Sequence, residues 1–272
     1  MDQNRKLGFI GAGNMATALI KGLLQDGRYQ AEDLLASDNS DTALRRISAD
    51  FGVPGYSSNL DLLAKSEIVI LSIKPQSMKD VLDHVKGALR TDHLLISIAA
   101  GIPLCMIGDI IPQDIPLIRV MPNTPALVQQ GISALAAGPS ASPAHMRTAK
   151  GIFAAVGETV EVSEEMMDAV TAVSGSGPGY VFYLMEGMVD AAVATGLDPQ
   201  TAIRLVIQTF LGAAHLAKTS EDSLSRLREK VTSPGGTTAA GLDMLEKLGM
   251  KRAIQKGVDA AYRRSVELGK PD

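Results

Sequence analysis

Through about residue 162 the chain alternates short apolar runs rich in β-branched residues with longer segments of helical spacing, the repeat of a βα protein. Strands are expected at 6–10, 33–37, 67–73, 93–98, 116–120, 132–136 and 158–162. Several are apolar at consecutive positions, as in Ile68-Val69-Ile70-Leu71, which suits strands buried on both faces. Helices are expected at 14–24, 41–51, 59–64, 76–85 and 143–154, so the pattern predicts a parallel, doubly wound sheet. After residue 163 the strand signal stops and the chain becomes rich in Ala, Met and Leu. Thr195-Gly196-Leu197-Asp198-Pro199 reads as a helix ending at a glycine and the next starting with an Asp cap and Pro in its first turn. Ile203, Val206, Ile207, Phe210, Leu211 and Ala214 then form one broad apolar stripe. The expected organisation is an α/β domain over 1–163 and an all-helical domain over 164–272, whose wide apolar faces predict a homodimer.

Composition narrows the function classes. With 26 Lys and Arg against 30 Asp and Glu, the chain has no basic field for a nucleic-acid backbone, and its 46% hydrophobic and 21% charged residues fit a globular protein. Its uncharged stretches are broken by Gly, Pro or Gln, so no membrane segment is expected. The single cysteine, Cys105, can form no intrachain disulfide, fits a reducing cytoplasm, and reads as a small core residue in Leu104-Cys105-Met106-Ile107. His84, His93, His145 and His215 are scattered without metal-ligand spacing and read as structural or surface residues. Glu186 and Asp190, one helical turn apart, read as a solvated stripe.

The first strand-to-helix junction carries Gly11-Ala12-Gly13-Asn14-Met15-Ala16, a G-x-G-x-x-A pattern where a dinucleotide-binding Rossmann domain requires it. Gly11 permits the tight turn, Gly13 lets the backbone approach a pyrophosphate, Ala16 allows close packing, and the helix start supplies N–H donors. The second strand ends in Ser37-Asp38-Asn39-Ser40. There Asp38 can bond the ribose hydroxyl of NAD and repel the 2′-phosphate of NADP, while Ser37, Asn39 and Ser40 can donate to that phosphate. With no arginine before Arg45 and Arg46, the choice between NAD and NADP stays open. The competing reading of Asp38-Asn39 is ordinary loop chemistry before a helix. Ile73-Lys74-Pro75, Ala99-Ala100 and Asn123-Thr124 fall at the ends of three further strands, where a cofactor cleft would lie, with Asn123 or Thr124 placed for a carboxamide. In the helical part, Ser174 to Gly179 and Thr232 to Thr238 read as flexible loops feeding helix starts, the second suited to a small carboxylate.

These runs, together with Arg119 to Pro125, Ala172 to Pro178 and above all Val231-Thr232-Ser233-Pro234-Gly235-Gly236-Thr237-Thr238-Ala239-Ala240-Gly241-Leu242, make the chain resemble the pyrroline-5-carboxylate reductase family over nearly its whole length. The resemblance implies reduction of the cyclic imine 1-pyrroline-5-carboxylate to L-proline by NADPH or NADH, the last step of proline biosynthesis. It also implies a Rossmann domain, a helical dimerisation domain, and assembly into larger oligomers such as a decamer. Carried over from the family signature, Thr238 meets the imine nitrogen while Ser233, Gly236 and Thr237 hold the carboxylate; Gly11, Gly13, Asn14 and Met15 bind the cofactor. Two positions depart from the family: the loop after the second strand lacks the arginine of many NADP-preferring relatives, and Leu224 replaces a usual proline.

Two other readings compete. A β-hydroxyacid dehydrogenase would need a base, commonly a lysine in the helical domain, yet no lysine stands between Lys150 and Lys218. A protein that senses NAD(P) without turnover would bind cofactor but consume none when offered cyclic imines.

Overall fold

The computed structural model describes residues 5–270. Eight strands form one sheet in the order β3-β2-β1-β4-β5-β6-β7-β8. They are β1 (Leu7–Ile10), β2 (Leu34–Ser37), β3 (Gly55–Tyr56), β4 (Ile68–Leu71), β5 (Leu94–Ser97), β6 (Leu117–Met121), β7 (Gly131–Ala137) and β8 (Gly157–Glu161). The order reverses at β1, with β2 on one side and β4 on the other, which is the doubly wound arrangement the βα repeat predicts. The two-residue β3 was not expected from the pattern.

The sheet is not wholly parallel, and this corrects the expectation. β7 runs antiparallel to β6, and β8 is parallel to β7. The cause is loop length: only residues 122–130 join β6 to β7, and part of that is a 3₁₀ turn at Thr124–Val128. A parallel crossover needs a dozen or more residues, so the chain must double back.

Twelve helices are described: α1 (Asn14–Gln25), α2 (Asp41–Phe51), α3 (Asn59–Leu63), α4 (Met78–Val85), α5 (Leu104–Gly108), α6 (Pro143–Phe153), α7 (Met167–Val170), α8 (Gly177–Ala194), α9 (Pro199–Thr219), α10 (Leu224–Lys230), α11 (Thr237–Lys247) and α12 (Met250–Leu268). Alternate strand residues feed two cores. Phe9, Leu34, Ile68 and Ile70 pack with Leu19 and Leu23 of α1, Ile47 of α2 and Phe153 of α6 on one face. Ile10, Leu35, Val69 and Leu71 pack with Leu62 of α3, Leu82 of α4 and Ile107 of α5 on the other. Burying each such side chain contributes about 1.5–3 kcal/mol, which makes the strand ends rigid supports for the loops they carry. Cys105 is exposed, contrary to its expected place in the core. On the short helix α5, Leu104 and Ile107 take the inward face and leave the residue after Leu104 outside.

The chain forms two compact units, one holding the described residues up to Ser176 together with those from Ala261, the other Gly177–Ala260. The segment after residue 163 stays with the sheet because Met167 and Ala172 are buried and Glu164 accepts from buried Arg119 at 2.8 Å. The end of α12 belongs there too, since Ser265 Oγ donates to Asp168 Oδ1 at 2.6 Å. Ser174 to Gly179 is not a flexible loop. Thr171–Gly175 is a π-helical turn closed by Ser176 N–H donating to Thr171 O at 2.8 Å, and α8 follows at Gly177.

In the second unit, Asp198 caps α9 by accepting from Thr201 N at 3.0 Å, with Pro199 in the first turn, as the sequence predicts. Leu224 opens α10 behind the Ser223 cap. A proline there would lose no helical hydrogen bond, so its replacement by leucine leaves the helix start intact. No residue of α8 or α11 is buried, while Tyr183 and Leu211 remain 76% and 59% exposed. So much apolar surface on one unit marks a protein interface. Among the described residues, no helix is long and apolar enough to cross a membrane.

Candidate functional site

The junction of β1 and α1 is shaped by two glycines with different duties. Gly11 has φ +101°, and a Cβ there would stand 2.5 Å from the Ser72 carbonyl oxygen. Only glycine fits this turn against the end of β4. Ser72, a residue the sequence reading missed, pins the turn by donating from Oγ to Gly11 O at 2.6 Å. Gly13 is the N-cap of α1 in extended conformation, and a Cβ there would meet nothing within 4 Å. No side chain caps this helix. The N–H groups of Asn14, Met15 and Ala16 thus face an open cradle at the positive end of a 12-residue helix, an arrangement that fits a pyrophosphate.

Around the cradle, the predicted residues divide. Asp38 lies at its edge, where Oδ2 accepts from Ala12 N and Oδ1 from Ser40 N, each at 2.8 Å. Its carboxylate therefore ties the end of β2 to the glycine loop. Ser37 is turned away: it is buried and donates to Asn59 Oδ1 at 2.7 Å, while its carbonyl accepts from Gly11 N at 2.7 Å. Asn39 is exposed and outside the pocket lining. That pocket, of about 340 Å³, is bounded by Ala12, Gly13, Asp38, Ser40, Thr42 and Arg46. Thr42 is absent from the sequence reading, and Arg46 enters it only as lying beyond the loop; their i,i+4 spacing on α2 becomes legible only once the inward face of that helix is known.

Ile73 and Pro75 are half-buried after β4, and Lys74 is exposed as the N-cap of a 3₁₀ turn, Pro75–Ser77, leading into α4. Ala99 is buried after β5, whereas Ala100 is exposed. Asn123 binds two segments together: Oδ1 accepts from Ile132 N at 3.0 Å, and Nδ2 donates to Ser174 O at 3.3 Å. Its amide thus fastens the end of β6 to the start of β7 and to the π-helical turn.

The second unit repeats the uncapped helix start. Gly236 is the N-cap of the 11-residue α11, with no side-chain cap, so the N–H groups of Thr237, Thr238 and Ala239 lack intrahelical partners. Gly236 N donates to Ser233 O at 3.0 Å, and a Cβ on Gly236 would collide with Ser233 Oγ. Ser233, Thr237 and Thr238 are exposed. Within one turn the loop presents hydroxyls and backbone donors suited to one small carboxylate and one polar atom.

Comparison with known proteins covers both units. A family model for pyrroline-5-carboxylate reductase dimerisation matches residues 164–268, and one for NADP oxidoreductase, coenzyme F420-dependent, matches residues 6–101. Pyrroline-5-carboxylate reductase from Methanosarcina acetivorans is 41% identical over 98% of this chain and 99% of its own length. That from Pseudomonas aeruginosa is 43% identical over 97% and 96%. Among solved structures, the Coxiella burnetii pyrroline-5-carboxylate reductase superposes with TM-score 0.93 at 34% identity, covering 98% of this chain and all of that one. A Plasmodium falciparum pyrroline carboxylate reductase with NADP bound superposes with TM-score 0.89 at 32% identity over 98% and 99%.

Proposed function

The chain belongs to the pyrroline-5-carboxylate reductase family, NAD(P)H-dependent oxidoreductases that reduce a cyclic imine to L-proline in proline biosynthesis, and we propose which of its residues perform that reaction. The reading rests on one observation above all: both motifs the chemistry needs are helix starts capped by glycine and left open by every side chain. At the first, Gly11, Gly13, Asn14 and Met15 hold the pyrophosphate of the cofactor, with Ile73, Lys74, Pro75 and Ala100 along its further length. The cofactor supplies the hydride.

At the second start, the backbone donors behind Gly236 and Thr237, with the Ser233 hydroxyl, bind the substrate carboxylate. Thr238 Oγ1 accepts from the N–H of the protonated ring imine and fixes its orientation. A protonated imine is already electrophilic, so the protein need mainly position it, and the loop accordingly contains no acid or base stronger than a hydroxyl. The division of labour gives cofactor binding to the sheet domain and substrate binding and dimerisation to the helical one. The functional protein is a homodimer joined through its exposed helical apolar face and assembled further into a decamer. It works in the cytoplasm, where the lone exposed thiol of Cys105 stays reduced.

Thr238→Ala tests the assignment. Losing a hydrogen bond to a charged imine should lower kcat/KM by roughly tenfold to a hundredfold, while the Kd for NADPH hardly moves. A loss confined to cofactor KM, or no loss, would place the imine elsewhere.

A further inference from the structure

Cofactor choice turns on the adenosine end of the cradle, and there the sequence offers contrary signals: an acidic residue after β2 and no arginine in the loop. The structure shows how each of these groups is held. Asp38 directs both carboxylate oxygens at peptide donors, Ala12 N and Ser40 N, which fixes it in the pocket wall beside the glycine loop. The pocket it borders receives a cation from another element. Arg46, in the middle of α2, lines it together with Thr42 one turn earlier and Ser40 at the helix start. Among the described residues its guanidinium donates one long bond, 3.4 Å from Nη2 to the neutral Thr17 hydroxyl on α1, and it is exposed. Turning that fork toward an anion in the pocket would forfeit little.

Two further side chains on the α2 side of the space, Ser40 and Thr42, can donate as well. Ser40 Oγ accepts from Ala43 N at 3.3 Å, which leaves its own O–H to give. The Thr42 hydroxyl stands in the first turn of an 11-residue helix whose positive end faces the same pocket. A planar guanidinium, two hydroxyls and a helix start on one side of this space of about 340 Å³ offer the donors a phosphomonoester dianion needs. A bare ribose hydroxyl would leave the guanidinium unanswered.

We propose that Arg46 is the residue that selects NADPH over NADH in this protein, by pairing with the 2′-phosphate in the pocket between the glycine loop and α2. Arg46 takes this part from within the helix, whereas Arg45, its neighbour, lies outside the lining and has no share in it. The assignment rests on the cofactor-binding role proposed above for the loop at Gly11 to Met15.

Direct binding to the full-length protein tests it without any turnover. The probes are adenosine 2′,5′-bisphosphate against 5′-ADP by titration calorimetry, and NADPH against NADH by fluorescence, for the wild type, Arg46→Met, Arg46→Lys and Arg45→Met. Arg46→Met should weaken the bisphosphate and NADPH by about 10- to 100-fold, as expected for a lost charge-assisted pair, and change 5′-ADP and NADH by less than about threefold. Arg46→Lys should recover part of the loss, and Arg45→Met should change neither ratio. Unchanged ratios in Arg46→Met, or equal losses for both members of each pair, would overturn the assignment. A wild type that bound neither NADPH nor NADH would instead overturn the cofactor reading on which it stands. Because Arg46 is exposed, its replacement should leave the melting temperature unchanged, which separates a binding effect from misfolding.

Discussion

Gly11 and Gly13 lie two residues apart in one loop, and the structure predicts opposite consequences for substituting them. At Gly13 the backbone is extended, φ −76° and ψ −172°, a conformation open to any residue, and an added Cβ would touch no atom of the protein. Gly13→Val should therefore still fold, losing only about 1 kcal/mol because valine is a poorer N-cap than glycine. The stiffer unfolded chain offsets part of that loss, by about 0.4–1 kcal/mol. The space the valine fills is, however, the cradle for the pyrophosphate. Its branched side chain would hold a phosphate off the N–H groups of Asn14 and Met15, lose their charge-assisted hydrogen bonds at roughly 1.5–3 kcal/mol each, and so abolish measurable cofactor binding. At Gly11 the order inverts. A Cβ at φ +101°, 2.5 Å from the carbonyl oxygen of Ser72, strains the fold itself, and Ser72 cannot retreat because its N–H is bonded to Ile10 O at 2.9 Å. Gly11→Ala should cost about 2–4 kcal/mol, from roughly 1–3 kcal/mol of backbone strain plus the contact, and lower Tm by several degrees. Thermal melts paired with NADPH titration on each variant make the comparison. Unchanged NADPH affinity in a folded Gly13→Val protein would refute the Rossmann reading of the loop. An unaltered Tm in Gly11→Ala would refute the turn geometry.

Two further outcomes follow from other parts of the molecule. His93 is buried with Nδ1 accepting from Arg90 N at 3.0 Å and Nε2 against Leu63 O at 3.3 Å, and burial, reinforced by Arg90, depresses its pKa below 6.5. The unfolded chain then takes up a proton that the folded one refuses as pH falls through 6.5, so this contribution is fully present above that pH and is lost below it. The slope is up to about 1.4 kcal/mol per pH unit, and urea melts between pH 7 and 5 should show His93→Gln flattening it; an unchanged slope would contradict the burial argument. For the interface, Leu211→Asp combined with Tyr183→Asp should convert the oligomer to monomers in light scattering while NADPH binding persists, since both residues lie in the second unit on exposed apolar surface. Persistence of the dimer would place its interface elsewhere.

Much of the fold was legible because its signals are local. Alternating cores show as doubled apolar runs such as Ile68 to Leu71, and the Asp198-Pro199 helix start is written in adjacent residues. The glycine loop was legible for the same reason, since Gly11 answers a demand of its own backbone and Gly13 leaves room beside the helix start. The reversal of β7 escaped because period-2 patterning carries no strand direction; only the short connection after Met121 does. Cys105 and the π-helical turn were misread because an apolar run does not say which side of a short helix faces in, and glycines mark close packing as readily as flexibility. At the adenosine pocket, adjacency in sequence points to the neighbours of Asp38, yet Ser37 is turned inward and Asn39 outward. The side chains that fill the space, Thr42 and Arg46, come from one face of the next helix, and that face is set by the packing of Leu44 and Ile47 on the sheet.

The central claim is that the open helix start behind Gly236 presents a cyclic imine for reduction. Its most direct measurement incubates the purified protein with 1-pyrroline-5-carboxylate and NADPH or NADH and quantifies proline alongside cofactor oxidation. The account predicts one proline formed for each reduced cofactor consumed, with the rate collapsing in Thr238→Ala. Tight cofactor binding with no proline formed would contradict it.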